Sequence, residues 1–200
     1  CGYSGTPAFF VLVHKCSKFP TRFHERMAKM LNPRIEAALN SQINAELYSS
    51  YLYVSMSAYF DSQNLAGMAN WMRIQAQEEV THSVKFFDFV NERDGRVLLT
   101  RIEGPKTEWT SPLDVFEEAY AHEQKVTGLI NDLVDLSLGE KDHASNAFLQ
   151  WFVTEQVEEE AAAKTVADKL KMIGDSPVAL YMLDGELGTR TPPAPTDTAD

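Results

Sequence analysis

Basic charge, cysteine and long apolar runs are all scarce in this chain, and each shortage closes off a class of function. Lys and Arg number 18 against 29 Asp and Glu, a net charge of −11 over 200 residues. Nucleic acid is an unsuitable partner for such a surface, because phosphate binding needs a basic face. The same charge suits a protein that attracts cations, although many acidic proteins bind none. No apolar run approaches the roughly 18–20 residues needed to span a bilayer, so no membrane partner is expected. The two cysteines, Cys1 and Cys16, stand apart from the periodic part of the chain and imply neither a disulfide framework nor a thiolate metal site. A reducing compartment is therefore allowed, and no solenoid-type repeat is present.

Composition divides the chain into three parts. Residues 1–30 hold Lys15, Lys18, Arg22, Arg26 and Lys29 but one acid, Glu25, which leaves the remainder at a net charge of −15. This basic extension reads as a surface arm, a remnant of a targeting segment, or residues foreign to the natural protein, and the start on Cys1 points to processing or truncation. Residues 31–187 carry helical periodicity. Residues 188–200, rich in Pro and Thr, read as a disordered tail.

Within 31–187, Asn32-Pro33 and Ser111-Pro112 are capping residues followed by proline at the first helical position. They open helices expected to reach about Phe60 and Gly139. A second helix follows the turn 61–64 and runs to about Arg93. A fourth begins near Asp142 and stops at Gly174, and a short apolar helix covers about Pro177 to Leu187. The stretch 94–110, with Gly95, Gly104 and Pro105, lacks periodicity. A connection of that length marks a crossover or a functional loop. Two hairpins of long helices joined by one long crossover specify an all-α four-helix bundle with a short fifth helix.

The apolar seam of each long helix is interrupted by polar residues. The first reads Ile35, Leu39, Gln42, Glu46, Ser49, Tyr53, Met56, Phe60; the second Leu65, Met68, Met72, Gln75, Glu79, His82, Phe86, Phe89. The third reads Leu113, Phe116, Tyr120, Glu123, Thr127, Ile130, Val134, and the fourth Leu149, Phe152, Gln156, Glu159, Ala163, Val166. Spacing of three and four marks the inward face of a bundle helix. A buried carboxylate must be neutralised, paired or bound to metal. A lone Glu-x-x-His is common by chance, but four seam carboxylates at matched depth would each need separate compensation. Two divalent ions balance four carboxylates, which favours a dinuclear centre, and oxygen ligands with one imidazole suit Fe, Mn or Zn. Tyr53 is placed to donate a hydrogen bond to a ligand, to donate an electron, or simply to pack. Trp151, Met56, Met68 and Met72 read as core filling.

Four segments carry a family resemblance: Glu46-Leu-Tyr-Ser-Ser-x-Leu-Tyr53, Gln77-Glu-Glu-x-Thr-His82, His122-Glu-Gln124, and Gln150-Trp-x-x-x-Glu-Gln-x-Glu-Glu-Glu160. Together they resemble the non-haem bacterial-type ferritins, over about residues 31–187. The resemblance implies a ferritin-like iron-storage protein with ferroxidase activity, in which Fe²⁺ is oxidised by O₂ or H₂O₂ and the product stored as a ferric mineral inside a 24-subunit shell. It assigns Glu46, Glu79 and His82 to the first iron and Glu79, Glu123 and Glu159 to the second, with Gln156 in the outer shell. Glu78, Glu155 and Glu158, sharing Glu159, match a third iron site; a solvated acidic face is the other reading of these three.

Departures narrow the resemblance. Bacterioferritins and rubrerythrins carry a second Glu-x-x-His on the last long helix, where this chain has Ala162 three residues after Glu159. Val80 and Thr81 stand where haem-binding members place a Met, so no haem is expected. Thr81 and Val84 replace the nucleation glutamates of animal ferritins. Asp132, Asp135, Glu140 and Asp142 supply charges for an iron entry pore, without showing which of them line it. A cytoplasmic protein is expected, or an organellar one if residues 1–30 are a targeting remnant. The alternative from another class is a di-metal oxidase or manganese protein of the same fold that stores no iron.

Overall fold

The computed structural model describes Gly2 and residues 31–192. The chain divides into two units, Cys1–Met30 and Leu31–Asp200. The expected basic extension thus lies outside the described residues, as does the tail from 193 onward.

Five helices make up the described part: α1 Pro33–Ser62, α2 Ala66–Glu92, α3 Pro112–Gly139, α4 His143–Ile173 and α5 Pro177–Leu187. Each boundary falls within about two residues of its sequence expectation, because the caps are made locally. Asn32 Oδ1 accepts the Arg34 N–H at 2.8 Å, Ser111 Oγ the Asp114 N–H at 3.1 Å, and Asp142 Oδ1 the Ser145 N–H at 3.1 Å. Asn64 turns the α1–α2 connection at φ 58°, in the left-handed region that Asn tolerates, and Gly174 ends α4 at φ 53°. No helix among the described residues is long and apolar enough to cross a membrane.

The long connection is a strap laid along α1. Asn40 receives the Leu98 N–H at 2.6 Å, Asn44 donates to Thr100 Oγ1 at 2.9 Å, and Ser55 donates to the Lys106 carbonyl at 2.6 Å. Ascending numbers on both sides show that the strap runs parallel to α1 from one end of the bundle to the other. Trp109 closes it, buried edge-on against Tyr59 with centroids 5.4 Å apart. The strap returns the chain to the end where α3 can start antiparallel to α1.

The core is two apolar clusters with a polar layer between them. One holds Leu52, Tyr53, Met56, Met68, Met72, Phe116, Ala163 and Val166; the other Ile35, Leu39, Ile43, Phe86, Val126, Ile130, Leu149 and Phe152. On every long helix the seam carboxylate falls in the gap, so the four reach a common depth. The expected face of α3 is turned by about one position. Val115, Ala119, Val126 and Leu133 are buried, while Leu113, Tyr120, Thr127 and Val134 are half-buried. Apolar residues flank that seam on one side, and packing on α1 and α4 selects the smaller Val and Ala for closest approach.

Helix α5 docks on the start of α2. Leu65 gives α2 no side-chain cap, and Asp184 of α5 accepts the Met68 N–H instead, at 2.8 Å. Gly67 makes the approach feasible, since a Cβ there would lie 1.7 Å from the Asp184 carbonyl oxygen. Gly67→Ala is therefore expected to lower stability by about 1–3 kcal/mol through overpacking and to free α5 while the four long helices stay folded. Limited proteolysis checks this, with new cleavage expected at 174–176 and circular dichroism nearly unchanged.

Candidate metal centre

The polar layer is built from one or two side chains of each long helix. Glu46, Glu79, Glu123 and Glu159 are only 1%, 2%, 1% and 6% exposed, and His82 is 5% exposed. Candidate ligand atoms of Glu46, Glu79 and His82 lie within 4.8 Å of one another, as do those of His82, Glu155 and Glu159. The one-turn spacing of Glu79 and His82 puts the carboxylate 3.5 Å from the imidazole Nδ1, and His82 Nε2 faces Glu155 at 3.8 Å.

Amides and a phenol orient the carboxylates. Gln42 donates to Glu46 at 2.8 Å from one turn earlier on α1. Gln75, equally one turn before Glu79, donates to Glu79 at 3.1 Å and to Glu159 across the bundle at 2.6 Å. The Tyr53 hydroxyl donates to one oxygen of Glu123, and Gln156 Nε2 approaches the other at 3.4 Å. Two buried acceptors, Glu46 Oε2 and Gln156 Oε1, have no hydrogen-bond partner. Buried oxygens are normally satisfied, so lone pairs left open beside a carboxylate cluster fit cation ligands.

Burial sets the protonation of the layer. It pushes Glu46 up to about 8, with the neighbouring Glu79 charge adding to the effect, and Glu159 likewise to about 8. Burial and the Glu79 charge also hold Glu123 well above the carboxylate range. Glu79 itself is lowered: burial opposes its ionisation, but hydrogen bonding to His82 and the imidazolium charge outweigh it. Burial likewise opposes protonation of His82, yet Glu155 and Glu79 raise it to about 11. Burial keeps the Tyr53 phenol far above its usual value, hence a donor. Near neutral pH these shifts favour a layer without net charge, with Glu46, Glu123 and Glu159 raised toward the protonated form and the Glu79 carboxylate beside the His82 imidazolium.

Glu46, Glu79, His82, Glu123, Glu159, Gln156 and Tyr53 therefore all meet in one layer. Glu78, Glu155 and Glu158 do not gather into a third group: Glu78 is held by Arg190, Glu155 turns toward His82, and Glu158 is exposed. Trp151 departs from its expected place in the core. It is 40% exposed, one residue off the buried Phe152 face, with the Lys85 ammonium 4.2 Å above its ring and the His82 ring 5.4 Å away. Among the entry-pore candidates, Glu140 pairs with Arg34 and Asn32, and Asp142 with Arg93, leaving Asp132 and Asp135 exposed. Sequence reasoning passed over Gln42 and Gln75 as orienting groups, although the repeated Gln-x-x-x-Glu on two seams was a readable signal. It also missed Arg190, for which no local signal existed.

Comparison with known proteins agrees with this geometry. Residues 36–173 match the Ferritin family, described as a ferritin-like domain. A bacterial non-heme ferritin of Bacteroides fragilis is 42% identical over 161 residues, covering 80% of this chain and 100% of the relative. One from Escherichia coli is 41% identical, covering 80% and 97%. The open pore ferritin of the archaeon Archaeoglobus fulgidus superposes with a TM-score of 0.81 at 53% identity, covering 82% of this chain and 99% of that one. A closed form of that ferritin, engineered by mutagenesis, gives 0.80 at 53% identity. With residues 36–173 matching the family as a whole and relatives above 40% identity covered over nearly their full length, the chain belongs to the ferritin family.

Proposed function

We propose that this protein stores iron, oxidising Fe²⁺ at the carboxylate layer and holding the ferric product as a mineral inside a shell of 24 subunits. The observation that carries the reading is the layer itself: four buried carboxylates and one imidazole between two apolar cores, with unpartnered buried acceptor atoms on Glu46 and Gln156. Fe²⁺ is the substrate. Glu46 and His82 would hold one ion, Glu123 and Glu159 a second, with Glu79 between them and Gln156 beside the second. Each ion gives up one electron, and two together, with two protons, reduce one O₂ to H₂O₂. Tyr53 acts through Glu123, fixing that carboxylate by its hydrogen bond.

Charge balance supports two ions over one. The metal-free layer is neutral with protons on Glu46, Glu123, Glu159 and His82. Two divalent ions replacing those protons leave it neutral again, so the layer exchanges metal for protons without acquiring buried charge. A single ion would leave the remaining carboxyls protonated and half the ligand set idle.

Glu79→Ala is expected to abolish the fast oxidation phase in stopped-flow mixing of Fe²⁺ with O₂; an unaltered rate overturns the assignment. Size and load separate storage from a di-metal oxidase. Light scattering should give a particle of about 24 subunits that takes up far more than two irons per chain, whereas a small oligomer saturating at two refutes storage.

The raised pKa values fix the sign of the pH dependence. Between the ordinary carboxylate range and about 8, the folded metal-free protein keeps protons on Glu46 and Glu159 that the unfolded chain has lost. Stability of the metal-free form should therefore fall as pH rises from about 5 to about 8. Metal binding should release about four protons per two ions near neutral pH and tighten as pH rises over the same window. Calorimetry with Zn²⁺ in buffers of different ionisation enthalpy measures the proton count. Thermal shift checks the pH trend, with the larger Zn²⁺-induced gain expected at the higher pH.

A further inference from the structure

The one cation brought into contact with the carboxylate layer from outside the four long helices is Arg190, among the described residues. It follows α5 directly. Gly188 N–H bonds to the Asp184 carbonyl at 3.0 Å, Thr189 Oγ1 to the Glu186 carbonyl at 2.7 Å, and the Arg190 N–H to the Leu187 carbonyl at 3.3 Å. Asn70 of α2 holds the Arg190 carbonyl at 3.1 Å. The backbone is thus pinned before the side chain makes any contact. The guanidinium then lies 4.5 Å over the Trp71 ring, donates to the Trp71 carbonyl at 3.4 Å and to Gln75 Oε1 at 3.0 Å, and pairs with Glu78. Both members of the ion pair are largely shielded, Arg190 at 23% and Glu78 at 16% side-chain exposure.

Two consequences follow for the layer. A guanidinium has no acceptor atom, so it selects the oxygen of Gln75 and leaves the amide nitrogen for the carboxylates. The sense of the Gln75 amide, and with it the donors to Glu79 and Glu159, is set by Arg190. Arg190 is also the counter-ion of Glu78, a carboxylate next to Glu79 in sequence that would otherwise be open to a further cation.

We infer that Arg190 is a positioning residue that confines the centre to two divalent ions: it holds Glu78 out of metal coordination and orients Gln75 toward Glu79 and Glu159. This rests on the reading of the layer as a two-metal site. Because Arg190 is carried by α5, docking of α5 on Gly67 also determines how many cations the layer accepts.

The test is anaerobic titration of the assembled full-length protein with Co²⁺, followed by calorimetry and by the visible absorption of bound cobalt. The unaltered protein is expected to saturate at two ions per chain. Arg190→Gln should add a third binding step and change the cobalt spectrum of the first two. Adding Glu78→Gln to that variant should remove the third step, and Arg190→Lys, which restores the charge without the fork, should suppress the third step but leave the spectrum altered. A third step already present in the unaltered protein, or two steps with an unchanged spectrum in Arg190→Gln, overturns the inference while leaving the two-metal reading intact. No tight Co²⁺ binding in the unaltered protein overturns both. Gly67→Ala gives an independent arm that keeps the arginine in the sequence but displaces it: it should produce the third step by undocking α5, and saturation at two ions there counts against the coupling.

Discussion

The structure depends on one constraint: a bundle interior has to bury four carboxylates without burying charge. Isolated ionised carboxylates at this depth would cost far more than a domain's whole stability margin. The chain meets the constraint by sharing protons. Glu79 stays ionised against the His82 imidazolium, and its neighbours keep their protons because they are buried, with the Glu79 charge adding to the effect. Each group's state is therefore a property of the layer and not of the residue. That interdependence favours cation binding as a set, because displacing one proton changes the cost of displacing the next.

The scaffold is arranged to hold that layer still. An apolar cluster on either side clamps every helix above and below its carboxylate, so none can tilt without opening a cavity. The strap hydrogen-bonds along α1 from Asn40 to Ser55 and spans the level of Glu46. Orienting amides then come from the same helices as the ligands, one turn earlier, on α1 and α2. Rigid elements and short local hydrogen bonds are what a site needs when its ligands must keep their places with and without metal.

Much of this was legible in sequence because the causes are local. Cap-plus-proline pairs at Asn32 and Ser111 located two helix starts, and a broken seam located Glu46, Glu79, His82, Glu123 and Glu159. What escaped detection depends on neighbours distant in the chain. The rotation of α3 is decided by which partner surface it meets, and Trp151 reaches the surface because Phe152 takes the inward position. Of the expected third group, Glu155 and the shared Glu159 meet beside His82, whereas Glu78 and Glu158 are placed elsewhere, for the same kind of reason. Glu78, Glu155 and Glu158 lie close together in the motif, but their geometry is settled by Arg190, His82 and solvent respectively.

Arg190 shows most clearly where composition misleads. A Pro- and Thr-rich segment reads as disorder because it has too little apolar surface to order itself. Yet residues 188–190 need no core of their own. They inherit their position from α5, which is docked by a carboxylate capping α2 and by the missing side chain of Gly67. Once the backbone is delivered there, a single planar cation can stack on Trp71, neutralise Glu78 and fix an amide in one contact set. Lysine at the same place could neutralise Glu78 but could not fork between it and Gln75. The identity of the residue, and not only its charge, then links the end of the fold to the orientation of its central carboxylates.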